Sequence, residues 1–310
     1  MKTVFIINPV AGNGNALKKW RRFAETIRFP YETVLTQRAG DATSIVRSYK
    51  EAGNKTLIIG FGGDGTLREI IAGAAGAEQL IVGAIAAGSG NDFGRGYQAF
   101  PTAESIADFL KHPTSKREDL GELQNGEIHR FASSSGIGLD AEISALVNRS
   151  LLKSWLNKIN AGKLVYLLYV VLTLARFKKF QLAVEQQGQK TIYEDVWLAT
   201  VSNQPYFGGG MKLSPASKTD DGLLELTVVH GISRLKLLLV FGTVFTGSHT
   251  RFKEVHQTSG TEFKLAVDGA IFRHTDGDYA GKTPIQEAVR YTVSEHHWYA
   301  VNTRKKEESK

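Results

Sequence analysis

Apolar residues in the first part of the chain fall into short β-branched runs, Val4–Ile7, Thr33–Leu35, Thr56–Ile59 and Leu80–Ile85. Longer stretches with apolar positions at helical spacing separate them. Runs that are apolar at consecutive positions read as strands buried on both faces, and their alternation with helices predicts a parallel sheet covered by helices. Gly12 and Gly14 precede a predicted helix over Asn15–Ile27, Asp41 stands where it can cap one over Ala42–Ala52, and Asp64-Gly65-Thr66 precede one over Leu67–Ala75. These junctions fall at the carboxyl ends of strands, where open α/β sheets bind ligands. Beyond residue 120 the pattern changes to extended runs, Ile128–Ser134, Gln181–Gln186, Ile192–Ser202 and Leu223–Val229, interrupted by helices near 141–177 and 233–246. The expected organisation is an α/β parallel-sheet domain over 1–120, a β-rich domain with inserted helices over 121–303, and a charged tail over 304–310. The last extended runs, Ala288–Ser294 and Trp298–Val301, fit either domain.

Composition narrows the classes. A chain of 310 residues with 42% hydrophobic content can build two cores. Against 31 Asp+Glu stand 38 Lys+Arg, a net charge of +7, which favours nucleotides, nucleic acid or anionic lipid surfaces as partners and equally reads as ordinary solubility charge. The absence of cysteine excludes disulfides, thiolate zinc sites and a cysteine nucleophile, and is compatible with a reducing cytoplasm. Val4–Ile7 is too short for a signal sequence, and the longest charge-free apolar stretch, Leu164–Ala175, falls short of the ~20 residues that span a bilayer.

Three glycine-containing loops follow predicted strands. Asn8-Pro9-Val10-Ala11-Gly12-Asn13-Gly14-Asn15 lacks the third glycine of a dinucleotide fingerprint, Leu17 standing in its place, and by itself reads as a strand-to-helix turn. Gly60-Phe61-Gly62-Gly63-Asp64-Gly65-Thr66 says more. Its glycines let main chain approach phosphate oxygens, the following helix N-terminus supplies amides, and Thr66 adds a hydroxyl. A carboxylate among them, Asp64, would repel phosphate unless it binds magnesium, caps the helix or accepts a proton. The third loop, Ala87-Gly88-Ser89-Gly90-Asn91-Asp92-Phe93-Gly94-Arg95, offers donors at Ser89 and Asn91 and a cation at Arg95, and an ordinary loop explains it as well. Gly281-Lys282-Thr283 imitates a P-loop, but Asp276 stands at its first glycine and Pro284 where its helix should run.

At these residues the sequence resembles the diacylglycerol kinase catalytic-domain family, which includes bacterial lipid kinases and the sphingosine and ceramide kinases. The landmarks run in order along nearly the whole chain: Ile7-Asn8-Pro9, Gly62–Thr66, Gly88–Phe93, Gly136-Ile137-Gly138-Leu139-Asp140-Ala141, Asp221-Gly222-Leu223-Leu224 and Asp276-Gly277-Asp278. The resemblance implies an N-terminal nucleotide-binding α/β domain, a C-terminal β-sandwich, and an active site between them. It implies ATP contacts from Asn8, Pro9, Gly12, Thr36, Gly62, Gly63, Asp64, Gly65, Thr66, Leu67, Arg68, Glu69, Ser89, Asn91 and Asp92. It further implies a Mg2+ site at Asp221 with the carbonyls of Lys218 and Leu223, oxygen donors that suit a hard cation. In relatives the last motif reads Asp-Gly-Glu and its carboxylate is thought to deprotonate the lipid hydroxyl. Here Asp276 and Asp278 are both candidate bases, and Asp64 is the third catalytic candidate. Arg68 stands where relatives usually carry Asn. Asp140 matches a lipid-headgroup position of sphingosine-kinase relatives, with a helix N-cap as the equal alternative.

Leu164–Leu172, followed by Arg176, Lys178 and Lys179, reads as a buried core helix or as a lipid-access helix with a basic collar. The histidines lack metal-ligand spacing and read as structural. The expected activity is therefore ATP- and Mg2+-dependent transfer of phosphate to a lipid such as diacylglycerol. The expected setting is cytoplasmic, peripherally associated with the membrane, without a nucleic-acid partner and with a homodimer as a candidate assembly. Two rivals remain: a kinase of a soluble acceptor such as NAD, which also uses a Gly-Gly-Asp-Gly loop, and a catalytically degenerate nucleotide-binding protein that docks on membranes.

Overall fold

The structure, a computed structural model, describes residues 1–12, 14–86, 92–149 and 170–303. Ser89, Asn91, most of Leu164–Leu172 and the tail 304–310 lie outside the described residues. The chain divides into two units, Met1–Asp119 with the C-terminal residues from Glu295, and Leu120–Ser294.

The first unit contains, in chain order, β1 (Lys2–Ile7), α1 (Ala16–Ala24), β2 (Glu32–Leu35), α2 (Asp41–Ala52), β3 (Thr56–Gly62), α3 (Asp64–Ala74), β4 (Leu80–Ala86), α4 (Asp92–Gly96), α5 (Ala103–Lys111) and β5 (Ser115–Glu118). The second holds β6 (Gly121–Asn125), β7 (Glu127–Phe131), β8 (Ser134–Gly138), α6 (Leu139–Arg149), α7 (170–176), β9 (Phe180–Gln186), β10 (Gln189–Ser202), β11 (Leu224–His230) and α8 (Arg234–Val240). After the short 3-10 helices Phe241–Phe245 and Ser248–Arg251 come β12 (Val255–Gly260), β13 (Glu262–Val267), β14 (Phe272–Thr275), β15 (Asp278–Lys282) and β16 (Val289–Val293). The last strand, β17 (Trp298–Val301), belongs to the first sheet.

That first sheet has the order β2-β1-β3-β4-β17-β5, parallel from β2 to β17, with β5 antiparallel at the edge. All seven residues of β3 are buried, which is why it reads as a continuous apolar run. Phe5 on β1 packs its ring 4.9 Å from Trp20 of α1, and Phe61 lies 5.4 Å from the same indole. β1 has β2 on one side and β3 on the other, so the strand order reverses beside it. Such a switch point opens a crevice at the carboxyl ends of the flanking strands.

One expected cap differs. Asp41 is the first helical residue of α2, not its cap. The cap position is Gly40, in the left-handed region at φ 86°, and the Asp41 carboxylate reaches back to accept from the amides of Gln37 and Arg38 at 2.8 and 3.0 Å.

The second unit is an antiparallel, sandwich-like assembly in the order β15-β14-β8-β10-β9-β13-β16-β6-β7, with β11 on β10 and β12 on β11. β10 is 14 residues long, pairs first with β9 and then with β8 and β11, and bends at a bulge where Asp195 takes φ 55°. A bulge lets one strand serve two layers. The core includes Trp197, which stacks on Phe177 at 5.7 Å and donates its indole N–H to the Ile232 carbonyl at 2.9 Å. The single run expected over Ile128–Ser134 is split between β7 and β8, because the amides around its end turn away from the ladder to meet a carboxylate.

Trp298 is fully buried between α4 and the sheet, its ring 4.9 Å from Tyr97 and 5.8 Å from Phe93. Trp298→Ala should destabilise the first unit by about 3–5 kcal/mol, the usual cost of emptying a buried indole site. Urea unfolding followed by circular dichroism would register it, and a loss below 1 kcal/mol would mean that β17 is not integral to that sheet.

Candidate functional site

In the first unit the predicted residues gather at the carboxyl ends of β1, β2 and β3. Asn8 leaves β1 with its amide donating to the Phe61 carbonyl at 3.1 Å. Its side-chain oxygen accepts from the Val10 amide at 3.1 Å, while its Nδ2 donates to Thr66 Oγ1 at 3.1 Å. Thr36, just past β2, donates its amide to Ile7 O at 2.9 Å. Pro9 lies between Asn8 and a turn in which Ala11 N–H meets Asn8 O at 3.2 Å and Gly12 takes φ 57°.

The glycines of the second loop are dictated by close approach. A Cβ on Gly62 would stand 2.5 Å from Thr66 Oγ1, and one on Gly60 would stand 2.4 Å from Leu67 Cδ2. The chain therefore folds tightly back on the first turn of α3. Gly63 enters that helix in extended conformation with no side-chain cap, and Gly65 in the first turn is exposed. An uncapped helix start has amides to offer an anion. Asp64, half-buried, does not cap α3. Its Oδ1 accepts from the Phe93 amide of α4 at 3.1 Å. Leu67 is buried beneath the turn and Arg68 is half-buried. Glu69 supplies the cap that Asp41 does not: its carboxylate accepts from Gly40 N at 2.9 Å and Ala42 N at 3.2 Å, at the start of α2. Asp92 is buried and pairs with Arg95 at 3.1 Å.

In the second unit Asp140 opens α6 and is buried. One carboxylate oxygen accepts from Thr200 Oγ1 at 2.7 Å and lies 3.0 Å from His274 Nε2, and the other accepts from the Ala141 amide at 2.8 Å. Gly277 N–H approaches His274 Nδ1 at 3.4 Å, which makes Nε2 the protonated nitrogen that donates to Asp140. Burial pushes the Asp140 carboxyl up, but the neighbouring His274 and the hydrogen bonds from His274, Thr200 and Ala141 outweigh it and hold it below its ordinary value. Gly136 on β8 makes room for this group: a Cβ there would lie 2.4 Å from Asp140 Oδ2 and 2.5 Å from His274 Nε2. Phe207 closes the pair with its ring stacked 4.8 Å from the imidazole.

The hairpin β14–β15 follows directly. Its two turn residues, Asp276 at φ 49° and Gly277 at φ 82°, have the positive φ that a type I′ turn requires, and Asp-Gly is the sequence suited to it. The two candidate bases part company here. Asp276 accepts from the amides of Ala132, Ser133 and Ser134 at 3.0, 2.8 and 3.0 Å. Its oxygens are thus committed to holding the break between β7 and β8. Asp278, opening β15, is exposed.

Asp221 is exposed in a turn completed by Gly222 at φ 72°, and its Oδ1 accepts from Leu223 N at 3.1 Å. Lys218 is exposed and Leu223 half-buried in the same loop. Beside them Glu225 on β11 is buried, with Oε2 lacking any hydrogen-bond partner. Burial raises the Glu225 carboxyl, and the Asp221 charge adds to that. An orphaned carboxylate oxygen next to a second carboxylate and turn carbonyls is an all-oxygen donor set that fits a hard divalent cation. Among the described residues, no group of three or more His, Cys, Asp or Glu side chains is arranged to hold a metal by itself, so main-chain oxygens would complete such a site. His274, Thr200 and Glu225 were not singled out from the sequence, and Gly136 entered only as the first residue of the Gly136–Ala141 landmark.

Comparison with known proteins gives a consistent picture. The model of the diacylglycerol kinase catalytic domain matches residues 2–147, and that of the YegS C-terminal NAD kinase beta sandwich-like domain matches 133–293. A diacylglycerol kinase of Mycobacterium tuberculosis is 28% identical over 292 residues, covering 92% of this chain and 91% of that protein. A diacylglycerol kinase of Bacillus subtilis is 27% identical over 291 residues, covering 90% of each. The crystal structure of a diacylglycerol kinase from Bacillus anthracis has the same fold, with TM-score 0.68 and 22% identity, covering 97% of this chain and 96% of that one.

Two outcomes follow from the Asp140 group. Gly136→Ala should destabilise the second unit by about 1–3 kcal/mol, because the added methyl must displace a packed carboxylate–imidazole pair. Asp140, with its folded value lowered, contributes stability that is present above its unfolded value and is lost as pH falls through the folded one. Asp140→Asn should therefore flatten the fall of melting temperature between about pH 5 and pH 2. An acid limb identical to wild type would show that Asp140 is not held ionised.

Proposed function

The chain belongs to the diacylglycerol kinase catalytic-domain family, and on that premise we propose that it transfers the γ-phosphate of ATP to a hydroxyl of a membrane lipid such as diacylglycerol. The observation that supports this reading most is the fold-back of the Gly60–Gly62 strand end on Thr66, pinned by Asn8. It brings main chain unobstructed by side chains to an uncapped helix start beside the switch point of a parallel sheet. Gly62, Gly63, Gly65 and Thr66 offer amides and a hydroxyl to phosphate oxygens, Asn8 to Gly12 and Thr36 border the nucleotide, and Arg68 supplies positive charge.

The lipid hydroxyl oxygen forms a bond to the γ-phosphorus as the bond from that phosphorus to the β–γ bridging oxygen breaks, and ADP leaves with the electron pair. The hydroxyl proton passes to a carboxylate. Asp278 is the base in this reading, because Asp276 spends its oxygens on three amides. Asp140, enclosed by His274, Thr200 and Phe207, positions the hairpin that carries Asp278 through the His274–Gly277 contact. Asp221 with the main-chain oxygens of Lys218 and Leu223 would hold Mg2+, which supplies charge compensation for neighbouring carboxylates such as Glu225. The enzyme works peripherally at the cytoplasmic face of the membrane.

Asp278→Asn should lower kcat by roughly 10²-fold or more with little change in ATP affinity, while Asp278→Glu retains activity. Asp276→Asn should instead lower the melting temperature. Full turnover in Asp278→Asn would remove it as the base. Asp64→Ala should abolish transfer in a protein that remains folded, and retained activity would exclude a role at the phosphates. Saturating Mg2+ should raise the melting temperature of wild type but not of Asp221→Ala, since a ligand selective for the folded state stabilises it. Equal shifts in both would place the ion elsewhere.

A further inference from the structure

The second unit carries an apolar surface built from two segments that contain no acidic residue. α8 turns Leu237 and Val240 onto the core and leaves Leu235 and Leu239, one helical turn apart on the other side, 68% and 75% exposed. Leu238 and Phe245 are exposed as well. Arg234 fastens α8 to the end of α7, donating to the carbonyls of Phe177 at 2.9 Å and Leu174 at 3.3 Å while lying 5.6 Å from the Trp197 ring centre. On α7, Val171 and Leu172 are exposed as well. Residues 170–178 and 232–253 hold no Asp or Glu, the adjoining Glu254 is paired with Lys236 at 2.6 Å, and Arg176, Lys178, Arg251 and Lys253 are exposed.

Large aliphatic side chains clustered in water are costly, and such a cluster in a basic setting marks a contact surface. The charge selects the occupant. A second copy would bring like charges face to face, in a chain whose net charge is already +7. An anionic bilayer would receive the leucines at its acyl boundary and the lysines and arginines among its headgroups. We propose that α8, with the exposed side of α7, is the surface by which this protein docks on an anionic lipid membrane. This deepens the lipid-kinase reading, and rests on it, by naming where the enzyme meets the bilayer that holds its acceptor.

Sedimentation with vesicles of phosphatidylglycerol and phosphatidylcholine, compared with phosphatidylcholine alone, tests the proposal on the full chain. Wild type should bind the anionic vesicles, more weakly at high salt, and the double variant Leu235→Gln, Leu239→Gln should partition at least about tenfold less, since two aliphatic side chains no longer leave water. Both changes are at exposed positions, so the melting temperature should hold, and turnover of a short-chain, water-soluble diacylglycerol should equal that of wild type. Equal vesicle binding by variant and wild type would overturn the proposal. So would a variant that loses only self-association, as would wild type that ignores anionic vesicles. Wild type that docks through these leucines yet phosphorylates no lipid would uphold the surface and sink the kinase reading.

Discussion

The parallel pairing of β1 with β3 is the constraint on which the proposed nucleotide site depends. It puts the ends of two chain segments that are more than fifty residues apart side by side, with Ile7 opposite Phe61. Only there can the Asn8 side chain reach Thr66, and only a glycine at position 62 lets it do so without a clash. The reversal of strand order at β1 keeps covering helices away from that edge. β3 is buried along its whole length, so the main chain proposed to bind phosphate leaves the sheet from its interior.

In the second unit the organising group is a carboxylate. Asp276 gathers three consecutive amides from the β7–β8 connection and so ties the β14–β15 turn to the opposite end of the unit's sequence. The buried Asp140–His274 pair sits one residue pair away, and through Gly277 it touches the same turn. A tight hairpin anchored at both ends would suit the role proposed for Asp278, because a base must be held within hydrogen-bond reach of its proton. Two neighbouring aspartates of one motif thus take opposite roles: Asp276 builds the turn and Asp278 is left facing outward.

How much of this the sequence revealed follows from how local each signal is. The central strands were legible because burial on both faces writes a continuous apolar run, and the change in pattern marked a parallel-sheet half and a β-rich half, the sandwich itself being implied only by the family resemblance. The glycine loops were legible because glycine is the only residue that tolerates the close approaches found at positions 60 and 62. The roles of Asp276 and Asp140 were not. The three amides on Asp276 come from 142 to 144 residues earlier, and His274 lies 134 residues from Asp140. No spacing rule spans such distances. Asp41 misled for a related reason: a carboxylate at a helix start looks like a cap, yet Glu69 from another helix holds those amides. The last extended runs, ambiguous as patterns, are resolved by hydrogen bonding, which gives β16 to the second sheet and β17 to the first.

The central claim is that phosphate moves to a lipid hydroxyl and not to a soluble acceptor. The most direct measurement is transfer of label from ATP radiolabelled at the γ-phosphate across a panel of diacylglycerol, ceramide, sphingosine and NAD, with products separated by solvent extraction. The account predicts label in the organic phase with at least one lipid alcohol and none on NAD. Label on NAD alone, or on nothing in a protein that still binds ATP, would contradict it.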